Sequence, residues 1–381
     1  MIFSPKTKNK KAMKEFSNRY VRQIVLPNFG MASQRKLLKS SVLIVGMGGL
    51  GCPASLYLAG AGVGKIGIAD PEKVEESNLH RQVLFDTNCC GKSKVKEALK
   101  RLRALNPDIL VEDYCTSVTK ENVLSLIEEY DVVIDGTDNF STKYLLNDAT
   151  FKAGKPLVLG SVFAYEGYIS VFNYSSGPCY RCLFPTPPTS YIPNCEEMGV
   201  IGAVTGIVGS IQAFEAIKVI LNSPPFLPLA GKYLQINTLT MGWHEYKVEK
   251  DPKCLLCSKK REEVELTEFR APSCLATSEV REITTKELFK DINKYVLIDV
   301  REKEEWQERH LLGALNVPLS QIEGGSFNSI PKERPIVLYC SLGIRSKKAG
   351  NILIEKDYRE VYSLKGGLSA VMQNGYKDLV R

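Results

Sequence analysis

No run in this 381-residue sequence is apolar for the roughly 18 residues that a membrane-spanning helix needs. The longest candidate, Ile201 to Ile211, is broken by glycine, threonine and serine. A secretory leader is also missing: five lysines (Lys6, Lys8, Lys10, Lys11, Lys14) lead into Phe16-Ser17-Asn18-Arg19-Tyr20 without an apolar segment. No internal repeat is evident, and nothing resembles a nucleic-acid module. These absences predict a cytoplasmic protein with neither membrane nor nucleic acid as partner. Histidine is scarce, at three residues, whereas cysteine reaches eleven. An odd number of cysteines without an export signal favours metal ligation and thiol chemistry over a disulfide framework.

The length suits two or three domains, each able to bury its own core. The formal net charge of +7 fits a solvated basic surface, or an acidic protein partner. Residues 1–14 hold part of that excess and read as a basic flexible tail.

Ser41 to Val45 is a β-branched run ending at Gly46, the pattern of a buried parallel strand. A helix is expected from about Gly49 to Ala61, then a strand from Lys65 to Ala69 closed by Asp70. Leu110 to Asp113, Val132 to Ile134 and Leu157 to Leu159 continue the strands, with helices at Lys94 to Leu105 and Ser141 to Ala153 between them. Such alternation predicts an α/β fold with a doubly wound, mainly parallel sheet. Gly167 to Tyr174 reads as a strand, Phe184 to Pro193 as a loop, and Gly209 to Leu221 as a helix. Ser258 to Ser278 is charged and weakly periodic, as in a linker. A smaller α/β pattern follows: helix near Thr285 to Asp291, strands at Val296 to Asp299 and Ile336 to Cys340, and a helix from Ser346 to Glu355. The expected division is 15–257, a linker at 258–278, and 279–381.

Gly46-Met47-Gly48-Gly49-Leu50-Gly51 follows a strand and opens a helix. Glycines there allow a tight turn and let a phosphate-bearing ligand approach backbone that a Cβ would block. Asp70, at the end of the next strand, can accept hydrogen bonds from a ribose. The same spacing fits a dinucleotide fingerprint, so an NAD-dependent oxidoreductase is the rival reading. The residues downstream separate the two. Ser77-Asn78-Leu79-His80-Arg81-Gln82 and Gly91-Lys92-Ser93-Lys94 bring a density of cations and amides that suits a triphosphate. Arg81 and Lys94 can neutralise phosphoryl charge as a nucleophile attacks. Asp138, in Asp135-Gly136-Thr137-Asp138-Asn139, follows a strand and can hold magnesium. The bland alternative makes the cations surface charges and Asp138 a helix cap before Ser141.

Arg19-Tyr20-x-Arg22-Gln23, the glycine run, Ser77 to Gln82, Lys94 and Thr137-Asp138-Asn139 occur in the order typical of the MoeB/ThiF adenylyltransferases, relatives of ubiquitin-activating enzymes. The sequence resembles that family from about residue 15 to 257. The resemblance implies that Gly49 approaches ATP, with Gly46, Gly48, Gly51, Gln82 and Asn139 in the same site. It places Asp70 and Asn78 on the ribose side, Arg81 and Lys94 at phosphates, and Mg2+ at Asp138. It also implies that Arg22 reaches the ATP of the other subunit of a homodimer. The implied reaction joins the C-terminal Gly-Gly carboxylate of a ubiquitin-like sulfur-carrier protein to the α-phosphate, releasing pyrophosphate.

Cys179-x-x-Cys182 and Cys254-x-x-Cys257 are two knuckles whose first cysteines lie 75 positions apart (254 minus 179). All three histidines fall outside them, so four-sulfur coordination of a structural Zn2+ is the simplest reading. Cys195 lies between the knuckles, where a stabilised thiolate would be a nucleophile. Its position resembles the family's crossover-loop cysteine, which takes part in sulfur transfer or acyl capture in some members and is dispensable in others.

Cys340-Ser341-Leu342-Gly343-Ile344-Arg345-Ser346 follows a strand and leads into a helix. A loop bent around one cysteine, with amides and a helix N-terminus nearby, stabilises an anion. Alone, this also fits a phosphatase cradle or a core cysteine. Asp299-Val300-Arg301, Glu305-Trp306, His310-Leu311-x-Gly313-Ala314 and Gly366-Gly367-Leu368 accompany it. Together they resemble the rhodanese sulfurtransferases, in which the match to Cys340 carries a persulfide. Ser341 stands where many active members carry a cation, and Val371 replaces a common tryptophan. The combination implies a thiocarboxylate-forming enzyme supplied by a persulfide donor such as a cysteine desulfurase. Carriers for molybdopterin, thiamine and tRNA thiolation share the Gly-Gly tail; the layout leans to molybdopterin by resemblance. A non-catalytic carrier-binding scaffold is the third reading.

Overall fold

A computed structural model describes residues 18–188, 199–269 and 280–380, apart from 328, 333, 357 and 359. The chain divides into two compact units, Met1–Ala271 and Pro272–Arg381.

The first unit is built on an eight-stranded sheet, in the order β3-β2-β1-β4-β5-β6-β7-β8. Its strands are β1 (Ser41–Val45), β2 (Lys65–Ala69), β3 (Leu110–Tyr114), β4 (Val132–Asp135), β5 (Leu157–Phe163), β6 (Glu166–Phe172), β7 (Lys232–Asn237) and β8 (Gly242–Lys247). β3, β2, β1, β4 and β5 pair in parallel, whereas β5 to β8 pair antiparallel. The alternation of side chains along β1 feeds two cores. Val42 and Ile44 join one with Ile66 and Ile68, and Leu43 and Val45 join the other with Val133 and Leu159. Each fully buried side chain of this size contributes about 1.5–3 kcal/mol.

The helices of this unit are α1 (Val21–Ile24), α2 (Gly30–Leu38), α3 (Gly51–Ala61), α4 (Lys94–Leu105), α5 (Val123–Glu128), α6 (Phe140–Ala153), α7 (Tyr180–Leu183) and α8 (Gly202–Leu221). α8 begins seven residues before its expected start (209 minus 202). It is long and apolar enough by composition to cross a membrane, at a mean hydropathy of 1.5. Instead it is a core helix, its Val208, Ala213 and Ala216 buried between the cores. Thr205, Gln212 and Glu215 broke its apolar pattern in the sequence, yet each is buried with a hydrogen-bond partner.

The first half of the segment expected to be a linker is folded onto this unit. Lys152 Nζ donates to the Val264 carbonyl at 2.6 Å, Ser141 Oγ to the Phe269 carbonyl, and Leu266 packs beside α6. Its two apolar anchors, Val264 and Leu266, are too sparse to show a periodicity.

The second unit has a five-stranded, all-parallel sheet in the order β11-β10-β12-β13-β9. These strands are β9 (Arg281–Ile283), β10 (Val296–Asp299), β11 (Leu315–Asn316), β12 (Ile336–Tyr339) and β13 (Val361–Leu364). Its helices are α9 (Thr285–Lys290), α10 (Lys303–Glu308), α11 (Leu319–Glu323), α12 (Ile344–Glu355) and α13 (Gly367–Gln373). Cores form on both faces, with Ile298 and Leu338 on one and Leu297 and Val337 on the other.

Candidate functional site

β1 and β4 are neighbours, but β2 and β3 intervene between them in sequence, so the chain reverses its direction across the sheet there. Ligands of open α/β sheets bind outside the carboxyl ends of strands at such a reversal. A cleft of about 1160 Å3, its open mouth included, lies at that point.

The glycine turn is fixed by backbone crowding. Gly46 has φ +92°, and a Cβ on it would meet the Gly136 carbonyl carbon at 2.8 Å. A Cβ on Gly51 would lie 1.9 Å from the Gly46 oxygen, so Gly51 seats the start of α3 and does not line the cleft. A Cβ on Gly48 would meet nothing within 4 Å; Gly48 and Gly49 both line the cleft. Asp70 braces this turn, accepting the Met47 amide at 2.7 Å on one oxygen and the Glu72 amide at 2.8 Å on the other. Burial raises its carboxyl pKa, while Lys94 works against the shift.

Arg81, Gln82, Lys94, Asp138 and Asn139 all line the cleft. Lys94 is buried at the start of α4, its ammonium 2.6 Å from Glu72, a cleft residue that sequence reasoning missed. Arg81 donates to the Ser77 carbonyl at 3.0 Å. Gln82 is 2 % exposed, and its Oε1 has no hydrogen-bond partner among the described residues. An acceptor left open at a ligand site calls for a donor such as a ribose hydroxyl. Asn78 is buried beside this wall and accepts the Glu75 amide at 3.2 Å, outside the cleft lining.

The Thr137–Asn139 loop rests on a buried ion pair. Lys143 Nζ lies 2.9 Å from Asp135 and also donates to the carbonyls of Thr137 and Gly160. Asp135 in turn accepts from the Thr137 amide and hydroxyl. The helix cap is Asn139, whose side chain accepts the Thr142 amide at 2.8 Å, not Asp138. Asp138 is exposed at the cleft, with no hydrogen bond or ion pair among the described residues. A hard divalent cation takes carboxylates so placed and keeps its waters. Thr205, Ser161 and Thr142 also line the cleft. No phosphate-type motif marks them in the sequence. Arg22, exposed on α1, is not brought to the cleft of its own chain.

Cys179, Cys182, Cys254 and Cys257 gather with their sulfurs within 4.8 Å of one another. The contacts of 3.5, 3.4 and 3.8 Å are far beyond a 2.05 Å disulfide. They match the separation of about 3.8 Å that four Zn–S bonds of 2.3 Å impose in a tetrahedron. Burial and the neighbouring sulfurs push the Cys179 thiol up, and Cys257 is pushed up to about 12 by burial and by Cys182. Four thiolates need a cation to share this space, and the donor set fits zinc. Cys195 lies outside the described residues.

In the second unit, Cys340 is buried at the end of β12, and its sulfur accepts the Gly343 amide at 3.1 Å. Gly343, at φ +97°, caps α12 and turns the loop back toward the thiol. The double glycine closes the other side: a Cβ on Gly367 would lie 2.3 Å from the Cys340 oxygen. The Leu368 amide donates to that same oxygen at 2.8 Å. Arg345 grips Glu305 in a forked pair at 2.6 and 2.8 Å and also donates to Ser341 Oγ at 3.3 Å. Leu342 and Ile344 point to solvent. Asp299 and Arg301 form a buried pair that tethers Arg301 to the Arg309 carbonyl. Val371, in the tryptophan's place, is fully buried and fills the core.

Both units have counterparts among known proteins. Residues 20–256 match the ThiF family, and residues 284–374 match the rhodanese-like domain. A Drosophila sechellia protein named adenylyltransferase and sulfurtransferase MOCS3 is 40% identical over 378 residues, or 93% of this chain and 83% of that protein. A Thermus thermophilus sulfur carrier protein adenylyltransferase is 44% identical over 264 residues, or 68% of this chain and 97% of its own length. Among solved structures, Escherichia coli MccB with ATP shares the fold at a TM-score of 0.57 and 22% identity, covering 64% of this chain and 75% of that one.

Proposed function

The chain belongs to the ThiF family and carries a rhodanese-like domain, and on that premise we propose that it makes a thiocarboxylate on a ubiquitin-like sulfur-carrier protein. It is an enzyme of the adenylyltransferase and sulfurtransferase kind. The observation that carries the first half is one cleft lined by Arg81, Lys94 and an unengaged Asp138. Two anions, the carrier carboxylate and the α-phosphate, must meet there. The barrier is therefore mainly electrostatic and falls when preorganised cations face the developing charge. Arg81 and Lys94 supply them, Asp70 faces the ribose side with Asn78 behind that wall, and Gln82 offers an acceptor. Magnesium, held by Asp138, would lower the repulsion further. Four-cysteine zinc would fix the Cys179–Cys182 and Cys254–Cys257 segments together.

The reaction leaves an acyl-adenylate and pyrophosphate. A persulfide on Cys340 then attacks the acyl carbon, AMP departs with the bonding pair, and an acyl disulfide forms. A second thiol, assigned to Cys195, attacks the Cys340 sulfur, so that the thiocarboxylate leaves and a disulfide remains. Arg22, exposed away from its own cleft, serves the partner's cleft in a homodimer. Once a thiol reductant has cleaved that disulfide, a cysteine desulfurase would recharge Cys340, in the cytoplasm. The carrier is of the molybdopterin type; thiamine and tRNA-thiolation carriers are the alternatives.

A dinucleotide enzyme is disfavoured by the sheet. The strand after β5 is antiparallel, so the second mononucleotide-binding half of a dinucleotide fold lacks its third parallel strand. Exchange of labelled pyrophosphate into ATP that requires a carrier ending in Gly-Gly tests the first half. Its absence with every such carrier removes it. Thiocarboxylate yield that is unchanged in Cys340→Ala removes the second half.

A further inference from the structure

The mouth of the Cys340 loop holds a cation that is already spent. Arg345 is the loop's one charged side chain, and both of its terminal nitrogens engage the two oxygens of Glu305. Ser341 Oγ sits against the same pair, 3.4 Å from Glu305 and 3.3 Å from Arg345. Glu305 arrives from α10, where its other bond, to the Glu302 amide at 3.3 Å, completes a helix cap. The carboxylate is therefore held in place by its own helix as well as by Arg345. The thiol itself receives one amide, from Gly343, and a distant hydroxyl, from Ser346 at 3.9 Å. The outward side chains on either side of Gly343 are apolar, Leu342 being 63% and Ile344 43% exposed. An anion approaching Cys340 meets a neutralised guanidinium between two hydrocarbon surfaces.

We propose that Glu305 is a specificity-determining residue: by cancelling the charge of Arg345, it makes the Cys340 mouth a poor site for free anionic sulfur donors such as thiosulfate. The proposal rests on the sulfurtransferase reading above and adds the residue that sets donor choice. With thiosulfate, the Cys340 thiolate attacks the outer sulfur. The new Cys340 S–S bond forms as the S–S bond to the sulfonate group breaks. Sulfite leaves with the electron pair, and the persulfide keeps the thiolate's negative charge. Both anions carry their charge to the mouth, so its net charge governs their encounter.

The test is the second-order rate of persulfide formation on Cys340 in the full chain, followed by mass spectrometry. The donors are thiosulfate, a dianion, and an alkanethiosulfonate salt, a monoanion that releases sulfinate. Glu305→Gln adds one positive charge to the mouth. Because Coulomb energy scales with the product of charges, the rate should rise about tenfold with thiosulfate and about threefold with the thiosulfonate. Arg345→Gln should slow both donors, thiosulfate more. The double variant Glu305→Gln, Arg345→Gln should return close to the parent, because the two opposite charge changes cancel. A merely structural Glu305 would slow both donors alike when replaced, and that result overturns the proposal. Rates equal in all four chains overturn it too. If no donor of either kind, nor a low-molecular-weight persulfide, puts sulfur on Cys340 in any chain, the sulfurtransferase reading itself falls, and this inference with it.

Discussion

Two buried lysines flank the nucleotide cleft, and replacing each by methionine should separate catalysis from stability. Lys94 is 3% exposed, but its partner Glu72 is 66% exposed. Lys94→Met keeps the aliphatic stem and frees a carboxylate that water can solvate. The stability cost is then that of a surface pair, about 1 kcal/mol or less, or about 2–4 °C in melting temperature for a unit of this size. Lys143 differs. Asp135 is fully buried beside it, and Lys143→Met strands that charge without water. Breaking such a pair costs about 3–5 kcal/mol, so the melting temperature should fall by about 6–20 °C.

Activity should rank the other way. Removing one preorganised donor from a developing anion costs about 10²–10³ in kcat. Lys94→Met should therefore lose carrier-dependent pyrophosphate exchange by that factor while remaining folded. Lys143→Met, assayed well below its melting point, should lose far less. The assays are differential scanning calorimetry and pyrophosphate exchange on the same preparations. A Lys94→Met protein that melts like Lys143→Met, or one that keeps more than a tenth of its exchange rate, would refute the assignment.

Gly48→Ala should leave the melting temperature nearly unchanged, because its Cβ meets nothing, yet weaken ATP binding measured by calorimetry. Gly51→Ala, driven 1.9 Å from the Gly46 oxygen, should lower the yield of folded protein. Cys254→Ser should remove bound zinc, as measured by elemental analysis, and lower the melting temperature, because the remaining sulfurs no longer close a tetrahedral shell. Burial raises the Asp70 pKa from 3.8, so folding opposes its ionised form. Its contribution is fully present below pH 3.8 and is lost as pH rises through the raised folded value. The melting temperature of Asp70→Asn relative to the parent should accordingly climb across that window and then level off. A difference that falls with pH would contradict the sign.

How much of this was legible in the sequence depended on whether the signal was local. The parallel half of the first sheet was, because β1, β2 and β4 are short apolar runs closed by glycine or aspartate. β7 and β8 were not: β8 is an exposed edge strand whose residues alternate nothing against a core. The start of α8 was missed because its three glycines and buried polar residues hide a helix that only packing against α3 and the sheet reveals. In the second unit, β9 and β11 have three and two residues, too few for any pattern.

The site divided in the same manner. Arg81, Lys94 and Asp138 stood out by chemical type, and all three line one cleft. Glu72 could not stand out, since an acid beside a triphosphate site looks like an ordinary surface charge until its lysine is seen 2.6 Å away. The cap reading failed by one position: Asp138 and Asn139 are both good N-caps by type, and only the turn decides that Asn139 reaches the Thr142 amide. That outcome leaves Asp138 unengaged at the cleft. The two cysteine knuckles needed no such help, because their spacing already supplied four sulfurs of one kind.

The most direct measurement is the mass of a Gly-Gly-ending carrier after incubation with this chain, magnesium, ATP and a sulfur donor. The account predicts a carrier with one carboxylate oxygen replaced by sulfur, formed only when ATP and Cys340 are both present. A carrier that stays unmodified, or one that gains sulfur equally well without ATP, would contradict it.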